Sequence, residues 1–183
     1  MRHSLLLVPS LLLAAACGGS DKSTGPVDIN DSSFTANLTG AVTRTVTGKA
    51  GFGVQTAGEN QGFGLVLGIT SQGTGNPTNI FFFRDQGVRP ANGTHTLGNV
   101  SDGADVPAEQ IAASILIDAN GGASGTICMS TGGTLTITES SATRLKGTYT
   151  VQAECLTIGE EEPEVITATG SFNASGVTVN MNN

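Results

Sequence analysis

From Ser33 onward the chain alternates apolar and polar residues with a period of two. SFTANLTG places Phe34, Ala36 and Leu38 on one side and Ser33, Thr35 and Asn37 on the other, as a half-buried strand requires. The same rhythm recurs in VTRTVTG, GFGVQT, GFGLVLGIT, NIFFFRD, GTHTLG, GTLTIT, LKGTYTVQA, EVITATGSF and GVTVNM, with Gly, Asn, Asp and Ser clusters between these runs. Short Thr- and Val-rich runs at close spacing predict an all-β domain over residues 32–183, an antiparallel β-sandwich or β-barrel of roughly 8–10 strands. One segment carries two patterns. In DVPAEQIAASILIDANGG, Asp105, Pro107, the Ile111–Ile115 spacing and Gly121 fit a capped helix. Ile111, Ala113, Ile115 and Ile117 also alternate, and the β-branched content makes residues 108–118 a strand in our reading.

The alternation is absent before residue 32. Arg2 and His3, the apolar run Leu5 to Leu13 and Ala14-Ala15-Ala16 read as a signal peptide over residues 1–16, and the apolar run is too short to span a bilayer. Residues 17–31 are small, polar and broken by Gly and Pro, the composition of a flexible tether. The Ala14-Ala15-Ala16-Cys17 junction resembles the lipobox of bacterial lipoproteins, with Ala14 where that family usually has Leu. The resemblance implies that Cys17 is the lipid-attachment residue and that the domain is exported and held at a membrane in the bacterial cell envelope. Gly18 after the cysteine implies the outer membrane by the sorting rule of enteric bacteria. An ordinary secretory cut before a cysteine is the alternative, and it severs the same bond. Each buried methylene contributes about 0.8 kcal/mol to anchoring, and stable attachment takes more than one acyl chain.

Removing residues 1–16 takes Arg2 with it and leaves seven Lys and Arg against 15 Asp and Glu, a net charge of −8. With no basic cluster, nucleic acid is not an expected partner. Three cysteines are an odd number for an exported chain. If lipid takes Cys17, Cys128 and Cys155 remain as a pair for a disulfide in an oxidising space; two separate buried thiols are the alternative. The pairing has a consequence for STGGTLTITESSATRLKGTYTVQAEC. Leu135 and Ile137 share a face, as do Leu145, Tyr149 and Val151, so paired positions must sum to an even number. Cys128 and Cys155 sum to an odd one. The disulfide therefore requires a one-residue irregularity, expected at Gly132-Gly133.

GTHTLG, STGGTLTIT, RLKGTYTVQA and ATGSFNAS together resemble a loose group of uncharacterised bacterial lipoproteins over roughly residues 90–180. That group carries Gly-Thr-Tyr-Thr-Leu, Gly-Gly-Thr-Val-Thr-Ile-Thr, Ser-Gly-Thr-Phe and Gly-Ser-Phe strands, and His95 stands where it usually has Tyr. The resemblance implies an exported β domain and supplies no activity or catalytic residue.

Candidate chemistry is sparse. His95 is the one histidine outside the signal peptide, and GGASGT at 121–126 lacks the spacing of a nucleophile elbow. We therefore assign no catalytic residue and expect a non-enzymatic domain. DINDSS starts like a calcium loop at Asp28, Asn30 and Ser32 but has Ser33 where Gly belongs and Thr39 where the bidentate acid belongs. Asp102, Asp105 and Glu109, and Glu160, Glu161, Glu162 and Glu164, read as solvated acidic loops. No metal and no cofactor are expected. Gly51-Phe52-Gly53 and Gly62-Phe63-Gly64 fall short of a dinucleotide fingerprint and read as strand glycines that permit close approach. The seven phenylalanines, with no Trp and one Tyr, read as core residues rather than a sugar-stacking platform. The expectation is a membrane-anchored envelope lipoprotein whose β domain acts by binding or structural interaction with a protein. The alternative is a small barrel holding an apolar small molecule.

Overall fold

The computed structural model describes residues 29–57, 60–69, 78–101, 103, 106–117, 125–156 and 163–176. Among these, nine strands form: β1 (Ser33–Gly40), β2 (Arg44–Ala57), β3 (Asn60–Ile69), β4 (Thr78–Arg84), β5 (Gly93–Thr96), β6 (Ala112–Ile117), β7 (Thr126–Ser140), β8 (Arg144–Leu156) and β9 (Glu164–Gly176). Neighbouring strands run β7-β6-β4-β3-β2-β1-β9-β8, and β8 returns to β7, closing an antiparallel barrel of eight strands. The ninth strand, β5, pairs with the second half of β7, while β6 pairs with its first half. Ala112–Ile117 is thus a strand, and its alternating Ala113, Ile115 and Ile117 point inward and are buried. The helix pattern in that segment loses because the β-branched residues find partners on both β4 and β7.

Alternation fills the barrel from every side. Phe34, Ala36 and Leu38 of β1, Phe63, Leu65 and Leu67 of β3, Ile80 and Phe82 of β4, and Leu145, Tyr149, Val151 and Ala153 of β8 are all at most 5% exposed. At several inward pairs a large side chain stands against glycine, as narrow barrels favour. Phe34 faces Gly48 and Phe172 faces Gly147, and a methyl group on either glycine would lie 2.8 or 3.0 Å from the opposing ring. Tyr149 faces Gly170 and packs edge-on to Phe82 with centroids 5.5 Å apart. Its Oη donates to the Thr35 carbonyl at 2.9 Å, and a Cβ at Gly170 would sit 1.9 Å from that carbonyl oxygen. Burial pushes the Tyr149 phenol well above its usual range.

The disulfide and the irregularity it demands are both present. Cys128 and Cys155 are joined and stand directly opposite each other. Pairing then slips between Ser130 and Gly132, so Thr131 is the extra residue, and Leu135 meets Tyr149 in the new register. The bulge lies one residue before the diglycine. Gly133 adopts φ 124°, a region L side chains rarely enter. The same notch receives the excursion that separates β5 from β6. Leu97 N donates to Gly133 O at 3.0 Å and Val100 N to Ser130 O at 2.8 Å. Fully buried Ser130 donates from Oγ to Gly98 O at 2.8 Å and accepts from Ala113 N at 3.0 Å.

Candidate functional site: a two-faced outer wall

Of the expected site residues, the structure brings together Cys128 and Cys155. Cys17, with the whole of residues 1–28, lies outside the described residues, as do Asp102, Asp105 and Glu160–Glu162. His95 is half-buried on β5, and its Nε2 pairs with the Ala91 carbonyl at 2.9 Å. In the DINDSS segment, Ser32 Oγ donates to Ile29 O and accepts from Ala50 N. The carbonyls of Asn30 and Asp31 accept from Lys49 and Asn173. This is a turn that seats the start of β1 against the barrel. Among the described residues no three His, Cys, Asp or Glu side chains gather. At the lower rim, formed by the β7–β8 turn and the start of β1, Phe52, Val54, Phe63, Arg89, Ala142 and Gly176 line a half-open cavity of about 110 Å³. Arg89 Nε donates there to Ser140 Oγ at 2.9 Å, and that hydroxyl donates to Pro90 O at 2.7 Å.

The outer wall is more informative, because register joins outward residues that are distant in sequence. Thr47, Thr35, Ser171, Thr148, Thr136 and Thr94 form one directly paired rank across β2, β1, β9, β8, β7 and β5. Thr45, Asn37, Thr169, Thr150, Thr134 and Thr96 form a second on the same six strands. Neighbouring ranks stand about 6.7 Å apart and neighbouring strands about 4.8 Å. None of these side chains is charged or buried. Some satisfy one another: Thr35 Oγ1 lies 3.2 Å from Ser171 Oγ, Thr94 Oγ1 lies 3.1 Å from Thr136 Oγ1, and Thr45 Oγ1 donates to Asn37 Oδ1 at 2.9 Å.

The remaining arc is different. One outward rank there reads Gly51, Val66, Phe81, Ser114, Met129, Glu154 and Val165, and the next toward the upper rim reads Asn79, Leu116, Ile127 and Leu156. Ile127, Leu156 and Val165 are 49%, 66% and 60% exposed. Phe81 and Phe83 face outward, half-exposed, whereas the other five phenylalanines are buried. Three consecutive phenylalanines on a strand cannot share a face. Close approach does not explain Gly64, since a Cβ there would meet nothing within 4 Å. With an apolar interior and a threonine-rich exterior, the barrel reverses the polarity of a transmembrane β-barrel. No family model matches the chain, and neither does any curated protein or solved structure.

Proposed function

We propose that this chain is an envelope lipoprotein, tied to a membrane through Cys17, whose barrel is a non-enzymatic module that binds through its outer wall. The observation that carries the reading is the filled interior. Ala36, Ala50, Leu65, Phe82, Ile115, Leu135, Val151 and Ala168, one inward side chain from each barrel strand, are at most 5% exposed, which favours a packed core over a container. Binding is then left to the outside. The resemblance of residues 14–17 to a lipobox and of residues 90–180 to envelope lipoproteins supports the location. The competing reading, a barrel that carries an apolar small molecule, draws on closure of the eight strands, and the packed core weighs against it.

Two measurements test the proposal. The exported wild-type chain partitions into detergent and Cys17→Ser into the aqueous phase; wild type remaining aqueous would remove the anchor. Native mass spectrometry of the purified chain shows the protein and its acyl groups alone, and a stoichiometric apolar ligand would favour the carrier instead.

A further inference from the structure

We propose that the Ile127–Leu156–Val165 patch docks a protein segment whose apolar stripe is flanked by Lys or Arg. The inference rests on reading the outer wall as the working surface, and it names the place and the partner's chemistry.

Ile127 and Leu156 are a direct cross-strand pair on β7 and β8, and Val165 lies on the adjacent strand β9, in the next rank. Half-exposed Leu116 and Met129 extend the group on two sides. Contiguous exposed aliphatics on one wall of a small domain mark a contact surface, whereas scattered ones are ordinary. The patch is also rigid. The Cys128–Cys155 disulfide lies one residue inward from Ile127 and Leu156 and ties together the two strands that carry them. A platform held in place loses little conformational freedom when it is covered.

Charge selects the occupant. The described residues of β8 and β9 from Gly147 to Gly176 carry two carboxylates, Glu154 and Glu164, and no Lys or Arg. Glu154 stands between Met129 and Val165, and Glu164 precedes Val165 on the same strand. A second copy would bring the same carboxylates face to face, and an anionic lipid surface would be repelled. An apolar centre with a basic border is complementary on both counts.

The test titrates the full exported chain with two synthetic amphipathic helical peptides that share one leucine stripe, one flanked by lysines and the other by glutamates. Binding of the lysine peptide is expected, with the glutamate peptide at least about tenfold weaker. Leu156→Thr, which extends the chemistry of the neighbouring wall, should weaken the lysine peptide about tenfold, while Thr148→Ser leaves it unchanged. Equal affinity for the two peptides, no binding of the lysine peptide, or no effect of Leu156→Thr would each overturn the proposal. Concentration-dependent dimerisation lost in Leu156→Thr, or adsorption to phosphatidylglycerol vesicles through the patch, would also overturn it by assigning the patch to another occupant. A peptide held equally by wild type and Leu156→Thr leaves the outer-wall reading standing. A small molecule found inside the barrel would remove that reading itself.

Discussion

β7 shows both characters of the wall within one strand. Its first half turns Ile127 and Met129 outward, and its second half turns Thr134, Thr136 and Thr138 outward. Both halves supply equally buried inward residues, Cys128 and Ser130 in one and Leu135 and Ile137 in the other. The inside therefore demands burial along the whole strand, while the outside changes character. Threonine meets every requirement of an exposed strand position, being β-branched and polar. An isoleucine and a leucine facing each other in solvent lack the polar group, and their presence points to a contact that threonine could not make.

The largest effect belongs to the shared interior: Phe82→Ala should cost about 3–5 kcal/mol, read by denaturant unfolding, and a small loss would mean that the core is less full than the exposures imply. Next comes the staple beneath the patch. Cys128→Ala with Cys155→Ala should cost about 3 kcal/mol in the chain-entropy model for a separation of 27 residues, and should loosen amide exchange at Ile127 and Leu156 more than at Thr136 and Thr148. Equal loosening would show that the disulfide does not rigidify the patch in particular.

Tyr149→Phe should cost about 1 kcal/mol through the lost hydrogen bond to Thr35. It should also change the alkaline behaviour. The folded-state phenol titrates above its unfolded value, so its contribution is intact below pH of about 10 and declines as pH rises past that value, where the unfolded chain ionises first. Melting curves of wild type and Tyr149→Phe should run parallel up to that pH, with wild type falling faster above it. Smallest is the effect of exchanging the two outer chemistries. Leu156→Thr and Thr148→Val should each change stability by no more than about 0.5 kcal/mol, since neither side chain is buried, and a large loss in Leu156→Thr would reassign Leu156 to packing.

The strands and their inward residues were legible because period two reports in against out directly. Phe34, Ala36 and Leu38 needed only one strand's pattern. The bulge was legible from parity, because Cys128, Cys155, Leu135 and Tyr149 cannot all be satisfied in one register. Its seat at Thr131, rather than at the diglycine, was not, since parity fixes that a residue is extra and not which one. Closure into a barrel depends on β1 meeting β9 across the whole domain, and a local pattern cannot choose it over a sandwich. The two faces of the wall were hidden for the same reason. Thr47, Thr35, Ser171 and Thr148 become neighbours only through register, as do Leu116, Ile127 and Leu156. Composition assigns Phe81 and Phe83 to the core because it counts phenylalanines without asking which way a strand turns them.

The most direct test of the account is hydroxyl-radical footprinting of the protein in intact cells against the purified chain. Ile127, Met129, Leu156 and Val165 should be protected in cells, with Thr134, Thr148 and Thr169 labelled equally in both. Patch residues labelled as fast in cells as in isolation, or protection falling on the threonine wall instead, would contradict it.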